Sequence, residues 1–112
     1  MANVRRNDRL RGTLEMLVLR ILDEGAAHGY AIARRIEQAS DDALRVEEGS
    51  LYPALHRMEN RGWIDAEWGT TKTKRRARIY RLTNEGRERM RQEVASWSHF
   101  CVAVSKVVEP AR

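Results

Sequence analysis

The chain is short of most of the residues that announce a secreted, membrane or disulfide-built protein. One cysteine, Cys101, stands among 112 residues, so no intrachain disulfide framework exists and a reducing compartment is expected. No apolar run approaches the ~20 residues that a membrane span needs. The first fifteen residues, MANVRRNDRLRGTLE, carry no apolar stretch of signal-peptide type. The expected location is therefore cytoplasmic, away from membranes. There is no internal repeat and no low-complexity tract.

What is present is charge and helix-forming sequence. Apolar residues make up 42% and charged residues 33% of the chain, with a net charge of +5. That composition is globular, one domain's worth, and its positive balance calls for a polyanionic partner. Nucleic acid and an anionic lipid surface both qualify on charge alone. The lipid alternative lacks a basic amphipathic helix with exposed aromatics on its apolar face.

Residues 1–9 are polar, include Arg5, Arg6 and Arg9, and read as a loose arm. Leu14, Leu17, Val18, Ile21 and Leu22 recur at helical spacing, and Gly25 marks a stop. A second helix opens at Gly29-Tyr30 and breaks at Ser40 and the following aspartates. Leu44-Arg45-Val46 reads as a very short strand. A third helix is expected from Gly49-Ser50, because Pro53 is tolerated best in a first turn, and Gly62 ends it. Residues 63–69 and 77–82 alternate as two strands, Ile64, Ala66 and Trp68 sharing one face. Thr83 is a good N-cap for a last helix that Pro110 stops. The expected fold is mainly α with a small β-hairpin wing (α+β). It is a winged helix-turn-helix over residues 1–82, followed by a long helix over 83–112.

Two features carry chemistry. The hairpin tip reads TTKTKRRAR, in which five of the seven residues from Lys72 to Arg78 are basic, and no acid occurs between Glu67 and Glu85. Lys72, Lys74, Arg75 and Arg76 on a hairpin make a positive finger suited to phosphates or a narrow minor groove; the alternative is a solvated turn. In the third helix, Leu51, Leu55 and Met58 form the inward face. That leaves Ser50, Tyr52, Pro53, His56 and Arg57 toward the exposed side, where a recognition helix meets the major groove. Arg57 or His56 suits donation to guanine, and Ser50 suits a phosphate or a base edge. Tyr52 has a competing role in packing on the second helix, and His56 one as an ordinary surface histidine.

The last helix carries Met90, Val94, Trp97, Cys101, Val104 and Val108, spaced 4, 3, 4, 3 and 4 apart. This heptad-like stripe is too apolar to leave in water and is expected to pair with a second copy, to fold back on the first helix of its own subunit, or to do both, clasped between its own body and the partner's. His99 and Cys101 do not make a metal site: a structural zinc needs four ligands, and positions two apart on a helix diverge. Glu47, Glu48 and Glu59 lie beside no nucleophile or cleft, so neither an enzyme nor a cofactor is expected.

The segments GTLEMLVLRIL (12–22), HGYAIARRIE (28–37), VEEGSLYPALHRMENRGWI (46–64) and RRARIYRLTNEGR (75–87) together resemble the PadR family of bacterial transcriptional regulators, chiefly repressors. The resemblance covers residues 12–87 with the motif spacing kept. It implies a winged-helix fold, a homodimer built on the C-terminal helix, and control of a nearby promoter. It also implies that Tyr30, Ser50, Tyr52, Pro53 and the wing basics face double-stranded DNA. A symmetric dimer implies a palindromic operator. Longer relatives add several C-terminal helices, so this chain groups with the short members. Some of those bind flat hydrophobic effectors between subunits, which singles out Trp97 near Phe100, although Trp97 serves equally well as dimer core. The competing reading is a winged-helix interaction adaptor without sequence-specific DNA binding. The concentrated charge of the wing argues against it.

Overall fold

The computed structural model describes the backbone of residues 2–109 and the side chains of residues 13–109. The elements run α1 (Ala2–Asp23), β1 (Ala27–His28), α2 (Gly29–Ala39), α3 (Glu48–Asn60), β2 (Ile64–Thr70), β3 (Arg76–Leu82) and α4 (Asn84–Val108). The three strands form one antiparallel sheet in the order β1-β3-β2. The four-helix, three-strand arrangement is the winged helix that the hydrophobic periodicity predicts.

Each helix forms because its apolar residues recur every three or four positions and meet on one side. α1 contributes Leu14, Val18, Leu19, Ile21 and Leu22 to the core, α2 Ile32 and Ile36, and α3 Leu51, Ala54, Leu55 and Met58. Ile64 and Tyr80 from the sheet and Met90 from α4 close it. Leu19, Ile32, Leu55 and Met58 are fully buried, each stabilising by roughly 1.5–3 kcal/mol.

Three expectations need correction. The first helix begins at Ala2 rather than Leu14, so the expected loose arm is helical backbone from residue 2; the side chains of Arg5, Arg6 and Arg9 lie outside the described residues. The third strand is Ala27–His28, paired to Tyr80 and Ile79, and not Leu44–Val46. Two residues cannot show alternation, and β1 exists only because β3 offers it an edge. The α3 helix starts at Glu48, which places Pro53 in its second turn. Pro53 therefore has no N–H to give the Gly49 carbonyl one turn back. The expected stop at Pro110 lies outside the described residues, and α4 ends at Val108.

The turn between α2 and α3 is set by side chains. Glu37 accepts a hydrogen bond from the Val46 backbone N–H and another from Arg34 Nη1, both at 3.1 Å. Ser40 Oγ donates to the Glu37 carbonyl and accepts from the Leu44 N–H. Asp41 and Asp42 take left-handed conformations with φ of 52° and 63°, which aspartate tolerates better than most residues. The Val46 N–H, then the Arg34 charge, hold the Glu37 carboxyl below its usual range. A lowered carboxyl pKa stabilises the fold above the ordinary value and loses that contribution as pH falls through the folded value.

At the other end of α3, Gly62 turns left-handed with φ +79°, ending the helix as glycine does best. Thr83 Oγ1 donates to the Gly62 carbonyl at 2.6 Å and accepts from the Gly86 N–H at 3.0 Å, capping α4. The Thr83 N–H donates to the Trp63 carbonyl at 3.1 Å. Gly86 is buried against that same carbonyl, and a Cβ at residue 86 would overlap its oxygen.

Two outcomes follow. Gly86→Ala should cost about 1–3 kcal/mol, read as a lowered melting temperature; an unchanged melt would mean that α4 moves away freely. Glu37→Ala should melt below the parent at pH 7, with the gap closing as pH falls below the ordinary glutamate value of 4.5. A gap independent of pH would show that the carboxylate does not tether Val46.

Candidate nucleic-acid interface

The buried face of α3 fixes what its other faces present. With Leu51, Ala54, Leu55 and Met58 inward, Gly49, Ser50, Pro53 and His56 are exposed on the outer side. Gly49 has open space where a side chain would stand, so the outer face is low at its start. The N-cap residue, Glu47, makes no side-chain capping bond, although its carbonyl accepts from the Ser50 and Leu51 N–H groups, so the N–H groups ahead of Ser50 face solvent or a ligand.

The two flanks of α3 are tied to neighbouring elements. On one, Arg57 Nε donates to Glu15 of α1 at 3.1 Å, and Arg61 Nη1 donates to the same carboxylate at 3.3 Å. Arg57 was expected to face outward with His56; its guanidinium instead turns toward α1, because Glu15 is the carboxylate within reach. On the other flank, the Tyr52 ring lies across Gly29 at the start of α2, so closely that any Cβ at residue 29 would meet it. Tyr52 remains 44% exposed. Packing on α2 and an outward edge thus coexist.

Tyr30 is exposed and stacks on His28, with ring centroids 6.5 Å apart and planes within 12°. His28 Nδ1 accepts from the Ala31 N–H and caps α2. The two tyrosines therefore both stand at the α2 N-terminus, Tyr52 over Gly29 and Tyr30 beside His28.

The wing is β2, β3 and the turn between them, in register from Ile64–Leu82 to Thr70–Arg76. Thr71 closes its tip. The Thr71 N–H donates to the Arg75 carbonyl, the Lys74 N–H donates to the Thr71 carbonyl, and the Arg75 N–H donates to Thr71 Oγ1. Lys74 occupies the left-handed position of this turn with φ 63°. Among the described residues, Lys72, Lys74, Arg75 and Arg76 have no carboxylate partner, and all four are exposed.

Alternation sorts the wing into two faces. Asp65 and Glu67 sit on one, both bridged by Arg81 at 3.2 and 3.7 Å. The other continues the core side of the sheet outward from Ile64 and Tyr80 through Trp68, Arg78 and Arg76. There Arg78 Nη2 donates to Glu59 of α3 at 2.7 Å, a bond that raises the guanidinium pKa further. Arg78 is a strut between wing and α3. Burial likewise pushes the Tyr80 phenol up, so it stays neutral beneath Arg78. Sequence reasoning missed Arg78, Glu59 and Trp68. The only available signal was that Trp68, Arg76 and Arg78 fall on the face shared with Ile64.

The stripe expected on α4 divides in two. Met90 is buried and Val94 packs on the core of the same subunit, so Met90 is corrected from interface to core. The ion pair of Arg87 with Asp23 holds the start of α4 against the end of α1, which brings those first turns inward. From Trp97 onward the helix leaves the core: Trp97, Phe100, Val102, Val104, Val107 and Val108 are exposed and Cys101 is half-buried. Trp97 and Phe100 lie with centroids 6.1 Å apart. Among the described residues no three His, Cys, Asp or Glu side chains converge as metal ligands, and no helix is long and apolar enough to cross a membrane.

A profile of the transcriptional regulator PadR-like family matches residues 18–92. A transcriptional regulator from Clostridium thermocellum superposes with a TM-score of 0.82 at 32% identity, covering 91% of this chain and 99% of that one. A PadR family transcriptional regulator from Eggerthella lenta superposes with a TM-score of 0.78 at 34% identity, covering 98% and 94%. An uncharacterised protein of Lysinibacillus sphaericus is 28% identical over 83% of this chain and 85% of its own length. Members of this family are DNA-binding transcriptional regulators, not enzymes. On its fold, its matched residues and these relatives, the chain belongs to the PadR-like family of transcriptional regulators.

Proposed function

We propose that the protein is a sequence-specific repressor that binds a palindromic operator as a homodimer. Residues 1–82 form the DNA-binding unit and residues 83–112, which contain α4, the pairing segment. The observation that carries this reading is the set of exposed, unneutralised cations on a wing that Arg78 ties to α3, together with the open outer face of that helix. Lys72, Lys74, Arg75 and Arg76 meet phosphates. Ser50, Pro53 and His56 enter the major groove, with Tyr30 and Tyr52 at the backbone near the α2 N-terminus. His56 carries base readout. Arg57, engaged with Glu15, supports the helix unless DNA draws it away.

Pairing rests on the outer half of α4. Phe100 is 59%, Val107 81% and Val108 70% exposed, a continuous apolar surface that water does not favour. A second copy of the same helix, with Trp97, Cys101, Val104 and Val108 along the seam, removes it from water. Trp97 and Phe100 also supply the flat apolar contact that a small hydrophobic effector needs. Such a compound relieves repression by favouring one spacing of the two recognition helices.

Two experiments test this. If the dimer neutralises about 6–10 phosphates, affinity should fall roughly 10³–10⁵-fold between about 50 and 200 mM salt. Alanine at Lys72, Lys74 and Arg75 should flatten that dependence without changing the selected sequence. His56→Ala should instead relax the sequence selected from a random pool by about 1–3 kcal/mol at one position per half-site. A salt slope unmoved by the wing variant would remove the wing from the DNA. Light scattering of the Val104→Asp, Val108→Asp variant should show monomers, and a persistent dimer would place the interface elsewhere.

A further inference from the structure

Among the described residues, four arginines lie over an aromatic ring: Arg61 and Arg89 over Trp63, Arg78 over Tyr80, and Arg76 over Trp68. Three of them also hold a carboxylate. Arg61 pairs with Glu15 at 3.3 Å, Arg78 with Glu59 at 2.7 Å and Arg89 with Glu93 at 2.7 Å. Arg76 has none. Its guanidinium carbon lies 4.7 Å from the Trp68 ring centroid, the shortest of the four separations.

The difference is chemical. A carboxylate takes up a guanidinium's N–H donors and cancels its charge. An aromatic ring engages only the flat face and leaves the charge and the edge donors available. Trp68 thus restricts the orientation of Arg76 without neutralising it.

The backbone explains the pairing. Arg76 is the cross-strand partner of Thr70 and Arg78 that of Trp68. Trp68 and Arg76 are therefore diagonal neighbours on one face, within reach for long side chains. The direct partner, Arg78, is drawn to Glu59. The face is the one that turns toward α3, away from the Asp65–Arg81–Glu67 cluster on the reverse. The indole itself is 61% exposed, so core packing does not account for a tryptophan at that position.

We propose that Trp68 is a positioning residue for DNA binding, holding the Arg76 guanidinium ready for a phosphate on the α3 side of the wing. This rests on the DNA-binding reading above and adds a residue to it. Restricting a flexible arginine before contact lowers the ordering cost of the contact. It also separates Arg76 from Lys72, Lys74 and Arg75, which have no ring beneath them.

The test is a double-mutant cycle on the full-length protein, read by titrating a labelled duplex selected on the parent from a random-sequence pool. Trp68→Ala and Arg76→Ala should each weaken binding by roughly two- to fivefold per wing, the scale of an exposed cation–π contact. The double variant should bind no more weakly than Arg76→Ala alone. Trp68→Phe should recover most of the affinity, whereas Trp68→Leu, apolar but without a quadrupole, should not. The salt dependence of Trp68→Ala should shift toward that of Arg76→Ala although no charge has been removed. A purely structural tryptophan would not produce that shift.

Additive losses, full rescue by leucine, or parent-like binding by Trp68→Ala would each overturn the proposal. Should Trp68→Ala fail to fold, the phenylalanine and leucine variants decide between the outcomes. Parent protein that binds no duplex would overturn the DNA-binding reading together with this one. Parent that binds, and loses affinity on removal of Lys72, Lys74 and Arg75 but not of Trp68, would overturn this inference alone.

Discussion

Where α3 ends and α4 begins, four elements meet within a few residues, and the relative placement of α3, the wing and α4 depends on that junction. Gly62 reverses the chain, Trp63 leads into β2, and Thr83 leaves β3 to start α4. Thr83 bonds to both Gly62 and Trp63, and Gly86 lets the first turn of α4 rest on the Trp63 carbonyl. Polar backbone groups buried at such a crossing need partners, because leaving one unpaired costs about 1–3 kcal/mol. Thr83 supplies them with one hydroxyl and one N–H. A displacement of α4 therefore disturbs the end of α3 and the base of the wing together. That gives a displacement of the outer half of α4 a physical route to α3 and the wing.

Charge is divided by a similar logic. The chain is rich in arginine, yet among the described residues most guanidinium groups are paired with a carboxylate, including Arg57 and Arg61 with Glu15, Arg78 with Glu59, Arg81 with Asp65 and Glu67, and Arg87 with Asp23. These partly exposed pairs contribute little stability, but they orient elements and cancel positive charge away from the wing tip. Among the described residues, Arg35, Arg45 and Lys106 also stand outside any ion pair, but four of the seven unpaired cations, Lys72, Lys74, Arg75 and Arg76, crowd into five residues at the wing tip. Charge gathered in this way attracts a polyanion more strongly than the same charge spread evenly.

The α4 helix has two environments along its length. Its first turns belong to the core through Met90 and Val94, and its outer turns carry apolar side chains away from it. The heptad stripe runs through both without a break. A periodic pattern records which side of a helix is apolar, and not which body covers it.

That limit separates what the sequence determined from what the tertiary structure decided. The four helices, though not the start of the first or third, the hairpin, the Thr83 cap, the Gly62 stop and the basic wing were legible because they depend on local chemistry: spacing, capping hydroxyls, left-handed glycine and a stretch of like charge with no acid in it. β1 was not legible, since two residues become a strand only when β3 stands beside them. The short strand expected at Leu44–Val46 failed because Glu37, nine residues earlier in sequence, takes the Val46 N–H. In the sequence, Arg57 and Arg78 look like any other cations of α3 and the wing. Only the placement of Glu15 on α1 and Glu59 on α3 turns them into struts, and only the twist and register of β2 on β3 lays Arg76 over Trp68. Sequence sets which groups can interact at short range; the packed fold chooses among the partners that chain connectivity leaves far apart.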